Sequence, residues 1–139
     1  MRPRVAMKIT AAAAAASMLV LVAPVTAMAT GAGCYGGPPG EPRGEECTTV
    51  VGSGLEITSI SGQYKDADQT YTLYIDFYGP NGHITNTGNI TVSAGHSTSV
   101  YTWHNPHPTA LMTPGYYCTE AIIANTGAAI WSDCIEVHS

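Results

Sequence analysis

Cys118 and Cys134 each stand eight residues from Thr126, and that symmetry constrains this 139-residue chain more than any other feature. The stretches at 116–125 and 128–137 are rich in β-branched and aromatic residues, and Asn125-Thr126-Gly127 between them is a turn by residue type. Folded about Thr126, the two cysteines face each other on neighbouring strands, within disulfide reach. Alternation then places Tyr117, Thr119, Ala121 and Ile123 on one face with Ala129, Trp131, Asp133, Ile135 and Val137. That face is mainly apolar and is directed at an opposite sheet. Cys118 and Cys134 share the other face with Glu120, Ser132 and Glu136. A bond between them pins a register that a slip of one residue inverts.

The rest of the chain beyond residue 50 carries the same signal. Tyr71, Leu73, Ile75 and Phe77 alternate with Thr72, Tyr74, Asp76 and Tyr78, a clear period of 2. Gly79-Pro80-Asn81-Gly82 is a turn. Weaker strands are read at 83–85, 89–92 and 97–103, and Leu55, Ile57 and an out-of-phase Ile60 make an earlier one. No stretch after residue 30 has helical periodicity. The predicted fold is therefore all-β: an immunoglobulin-like antiparallel β-sandwich over 49–139, with two disulfides.

The remaining cysteines, Cys34 and Cys47, bracket a segment of another character. Six glycines and three prolines lie between residues 31 and 44, with Tyr35 as the lone aromatic. Residues 30–48 are read as an arm that buries almost nothing and forms no central strand, either a stapled loop packed on the domain edge or an exposed arm that docks onto another protein. Of the three pairings open to four cysteines, Cys34–Cys47 with Cys118–Cys134 fits the strand reading. No two cysteines have zinc-site spacing and no C-x-x-C occurs, so neither a metal nor any other cofactor is expected.

Ahead of the arm, Arg2, Arg4 and Lys8 precede an apolar run from 11 to about 25, and Ala27-Met28-Ala29 follows. Residues 1–29 read as a secretory signal peptide. The run falls short of the ~20 residues that span a bilayer. The mature chain is expected outside the cell, with no membrane attachment after cleavage. It keeps Arg43 and Lys65 against ten acids, a net charge of −8. With no basic cluster, nucleic acid is excluded as a partner. The acidity suits a soluble secreted domain and, more specifically, a basic partner.

Catalytic signatures are missing from the pattern. There is no G-x-S-x-G elbow, no H-E-x-x-H and no phosphate-cradling loop. His104 and His107 sit in a proline-broken loop, and Glu45-Glu46 and the Asp66/Asp68 pair read as solvated turn residues. No catalytic residue is assigned, and the class expected is recognition. Tyrosine and tryptophan anchor interfaces and stack on sugars. Tyr71, Tyr117 and Trp131 fall on core faces, whereas Tyr74, Tyr78 and Tyr101 are available as surface contacts. The candidate partner-binding residues are Tyr35 in the arm and Trp103, Leu111 and Met112 in the 103–115 segment. The expected partner is another secreted protein. A hydrolase inhibitor presenting Leu111 or Met112, or a glycan binder using Trp103, are the alternatives.

Two resemblances add to this. Thr113-Pro114-Gly115-Tyr116-Tyr117-Cys118 resembles the approach to the penultimate strand of an immunoglobulin-like sandwich, with Tyr116 placed as a tyrosine corner. The layout of Ala-rich signal, Cys34–Cys47 arm, Thr/Tyr-rich sandwich and Cys118–Cys134 hairpin resembles the small secreted two-disulfide β-proteins of actinobacteria. These include adaptor subunits of umbrella toxin particles, which join a lectin to a larger toxin chain partly through an N-terminal arm. The resemblance implies an adaptor docking through its arm.

Overall fold

Apolar residues that recur every second position, separated by Gly, Pro and Asn turns, fold this chain into strands. The computed structural model describes residues 30–37 and 44–139. Its strands are β1 (Gly31–Gly36), β2 (Glu45–Ser53), β3 (Glu56–Lys65), β4 (Tyr71–Gly79), β5 (Gly82–Asn86), β6 (Ile90–Val92), β7 (Tyr101–His104), β8 (Gly115–Ile123) and β9 (Ala129–Val137). No described residue is helical. The expected signal segment, 1–29, and the tip of the arm, 38–43, lie outside the described residues.

Two antiparallel sheets face each other. The first runs β1-β2-β3-β7 and the second β5-β4-β8-β9, with β6 beside the start of β4. The set β4-β8-β9 against β2-β3-β7 matches the three-strand and outer-strand sheets of an immunoglobulin-like sandwich. Between them lie Val50, Ile57, Ile60 and Tyr64 from the first sheet and Leu73, Ile75, Phe77, Tyr117 and Ala121 from the second. The out-of-phase Ile60 has a cause: Val51 pairs with Ser59 but Gly52 pairs with Ile57, so Thr58 is the extra residue of a β-bulge. Gly62 sets the spacing of the layers. A Cβ there would sit 2.9 Å from the Thr119 side chain and 3.0 Å from Ile75 Cγ2.

Both disulfides join directly opposed residues. Cys34 faces Cys47 across β1 and β2 with Cα atoms 4.0 Å apart, and Cys118 faces Cys134 across β8 and β9 at 4.1 Å. The symmetry about Thr126 holds from Gly115↔Val137 to Ala121↔Trp131, then shifts by one residue at Ile122↔Ala129.

Three expectations are corrected. The arm does join the sandwich, because 31–36 is an edge strand and β2 begins at Glu45 as the second strand of its sheet. Its glycines are what let it pack. At Gly31 a Cβ would lie 2.6 Å from Ile135 Cγ2, and at Gly33 it would lie 3.4 Å from the Asp133 carboxylate, so β1 rests against β9. The strand expected at 97–103 begins only at Tyr101. Before it, Thr98 takes over the edge by accepting from Tyr64 N through its hydroxyl and donating its own N–H to Tyr64 O. The corner-like bond belongs to Tyr117: its hydroxyl donates to Thr113 O at 2.7 Å, while Tyr116 is 58% exposed. Pairing opposite Glu136 turns Tyr116 to the outer face.

Candidate functional site

The four residues read from sequence as contacts are not brought together. Tyr35 is 59% exposed and meets Trp131 edge-on, ring centroids 5.5 Å apart. It stands opposite Glu46, near the sheet end where the Lys65 Nζ lies 3.7 Å from Glu45. Leu111 and Met112 lie at the other end, by the β2–β3 turn, where Met112 N donates to Leu55 O. Leu111 is 73% exposed, but Met112 is half-buried against the core. Trp103 is half-buried opposite Ile60. Tyr101, expected at the surface, also packs against the core.

The outer face of the second sheet gathers what sequence reading left scattered. Asp76 on β4 stands directly opposite Glu120 on β8, and Glu120 opposite Ser132 on β9. One row along, Tyr78 pairs with Cys118 and Cys118 with Cys134; beyond it Tyr116 pairs with Glu136. Tyr74 lies opposite Ile122 on the other side of the carboxylates. The Tyr78 hydroxyl and Ser132 Oγ are 2.8 Å apart, and the His83 ring is 2.7 Å from Asp76 Oδ1. Like charges directly opposed across strands destabilise a sheet. Partial burial, and then Asp76, raise the Glu120 pKa above the usual carboxylate range. Among the described residues the single lysine is paired elsewhere, with Glu45.

Beneath the arm the interior is polar. The Glu45-Glu46 pair, read as solvated, is split by strand alternation: Glu45 faces Lys65 at the surface and Glu46 is fully buried. The phase of Glu46 with Thr48 and Val50, every second residue, was the available signal. Thr119 Oγ1 lies 2.8 Å from Glu46 Oε1 and 2.7 Å from Thr48 Oγ1, and Thr48 Oγ1 donates to Asp133 O at 2.9 Å. Each hydroxyl has one proton to donate. Thr119 gives its proton to Glu46 Oε1 and Thr48 gives its own to Asp133 O. Burial pushes the Glu46 carboxyl up to about 8, with the Thr119 bond opposing and Asp133 adding to the rise. Its Oε2 has no partner among the described residues. Burial also raises the Asp133 pKa, against the bonds from Thr48.

The one His/Cys/Asp/Glu group with metal-like proximity among the described residues is Cys34, Glu45 and Cys47. Both sulfurs are in a disulfide, so this set does not fit a metal. The two disulfides place the fold in an oxidising compartment. Fold and surfaces together define a disulfide-stapled, immunoglobulin-like sandwich with an aromatic and acidic outer sheet face. No protein-family model, curated protein or solved structure matches the chain.

Proposed function

We propose that this protein is a secreted, non-catalytic interaction subunit, an adaptor that holds other secreted proteins, as in an antibacterial toxin particle. The observation that carries the reading is the outer face of the second sheet. There tyrosines Tyr74, Tyr78 and Tyr116 surround the opposed Asp76 and Glu120 on a rigid, disulfide-crossed surface. Tyrosine supplies large contact area at low entropic cost, and an opposed carboxylate pair is relieved by a partner's Lys or Arg. The partner expected is basic. Tyr35, exposed at the edge of the first sheet, supplies a second contact area, so that one subunit holds two neighbours.

The test is affinity purification of the tagged protein from the culture supernatant of its producer, beside a Tyr116→Ala/Glu120→Lys variant. A stoichiometric secreted partner is expected with the parent, and its loss with the variant, whose far-UV spectrum stays that of a β-protein. A monomer without partner from both samples overturns the reading. The inhibitor alternative rests on Leu111, exposed beside an anchored Met112. It requires stoichiometric inhibition of a secreted hydrolase that Leu111→Ala abolishes.

A further inference from the structure

The two lateral sides of the sandwich differ. On one, β1 packs along β9; on the other, the edge strands β5 and β7 stand apart and leave a groove of about 270 Å³. Phe77 forms its floor, with Thr85 to Thr87 on one bank and β7 on the other. Register sets what points inward: Thr85 opposes Phe77, Trp103 opposes Ile60 and Tyr101 opposes Gly62, all inner-face positions. The rings of Tyr101 and Trp103 thus line one wall and the Thr85 hydroxyl the other.

Two properties select the ligand. First, no Asp, Glu, Lys or Arg lines the groove, although the chain as a whole carries ten acids. Second, its inward-facing polar groups, the Tyr101 hydroxyl, the Trp103 indole N–H and the Thr85 hydroxyl, make no hydrogen bond among the described residues, whereas Thr87, Thr102 and Asn86 Oδ1 on its rim are engaged by Ile75 N, Ser61 and Gly88 N. The larger recess at Thr70, Tyr71 and Asn125 lacks this character, because the Tyr71 hydroxyl donates to Asp68 and its ring packs edge-on against Tyr64. An apolar ligand would strand the donors of the lateral groove, and a charged one would meet no counter-ion there. A neutral sugar matches both properties: its C–H face lies on an aromatic ring while its hydroxyls meet neutral donors and acceptors. The groove is open at the surface and smaller than the ~300–1,000 Å³ of a drug-sized site, which suits a short stretch of a polymer rather than an enclosed small molecule.

We propose that the β5–β7 groove is a binding site for a neutral oligosaccharide, with Trp103 and Tyr101 as the stacking wall and Thr85 as a polar contact. This stands independently of the adaptor reading, whose surface is the outer face of the second sheet.

The chain's tryptophans are Trp103, in the groove, and Trp131, beside Tyr35, so Trp131→Phe isolates the reporter. This protein is titrated with cello-, xylo-, chito- and malto-oligosaccharides, which distinguish plant, chitin and storage sources, and with oligogalacturonate as the anionic counterpart. The expected result is a saturable change in Trp103 fluorescence with one neutral series, at roughly millimolar Kd, and none with oligogalacturonate. Trp103→Ala, followed calorimetrically, abolishes binding; Trp103→Phe and Thr85→Val each weaken it about tenfold, the equivalent of ~1.4 kcal/mol. Trp103→Phe retains a ring against the core and Thr85→Val retains shape, so one of them reports even if Trp103→Ala fails to fold. Tyr116→Ala binds the sugar as the parent does. Absence of saturable binding to every neutral series overturns the proposal, as does unchanged affinity in folded Trp103→Phe and Thr85→Val. Neither result bears on partner capture.

Discussion

The closed and open sides of this sandwich are built from opposite materials. On the closed side, glycines at 31 and 33 bring β1 onto Ile135 and Asp133, Tyr35 covers Trp131, and a disulfide locks the strand in place. On the open side, β5 and β7 keep full side chains, make no cross-link and leave aromatic and hydroxyl groups facing a groove. Deleting side chains closes one edge, and retaining them at the other makes a site. A small domain with limited core needs the closed side for stability, and that frees the open side for ligands.

The comparison is most easily broken at the staple. Replacing Cys34 and Cys47 together by Ser is expected to lower stability by ~3 kcal/mol, the entropy of closing a loop of this length, read as a lower urea midpoint. The same pair of changes at the open side has no counterpart, since no disulfide crosses β5 or β7. A C34S/C47S protein as stable as the parent would show that the glycine packing alone holds β1. Gly31→Val tests that packing with the staple intact, because its Cβ would lie 2.6 Å from Ile135 Cγ2. Overpacking of this kind costs ~1–3 kcal/mol, with faster proteolysis near residue 30.

Thr119→Val keeps shape and removes the middle of the chain from Glu46 to Asp133, at a cost of ~1–2 kcal/mol in thermal unfolding. The pH dependence of that network follows from its direction. Folded Glu46 titrates at about 8 against 4.5 for the free side chain, so above pH 4.5 the unfolded chain releases a proton that the folded protein retains. Stability from this group is full below about pH 4.5 and declines as pH rises through about 8. Urea midpoints measured across that range should fall for the parent and flatten for Glu46→Gln. A parent midpoint that rises with pH contradicts the neutral carboxyl. The smallest effect belongs to the open side: Thr85→Val, at an unengaged hydroxyl, should change stability by no more than ~0.5 kcal/mol.

Some of this architecture follows from the chain read by itself. The symmetry of Cys118 and Cys134 about Thr126 specifies pairing, register and inward face from Gly115↔Val137 to Ala121↔Trp131, by counting residues from the turn. It misses the one-residue shift beside the turn, which sets Ala129, expected inward, opposite the outward Ile122. The alternation at 71–78 likewise specifies β4, and even the misphased Ile60 was legible as a shift, though not as a bulge at Thr58. What tertiary structure decided is everything that depends on a neighbour distant in sequence. Nothing local distinguishes a glycine that loosens an arm from one that admits Ile135. Nor does a Glu-Glu pair reveal which carboxyl meets Lys65 and which is carried under β9 and kept neutral. The groove is the extreme case, since Thr85 and Trp103 acquire a shared cavity only because β5 and β7 end two different sheets on the same side. Strand periodicity is a property of adjacent peptide units, while burial, protonation and concavity are sums over contacts that exist only after the sheets meet.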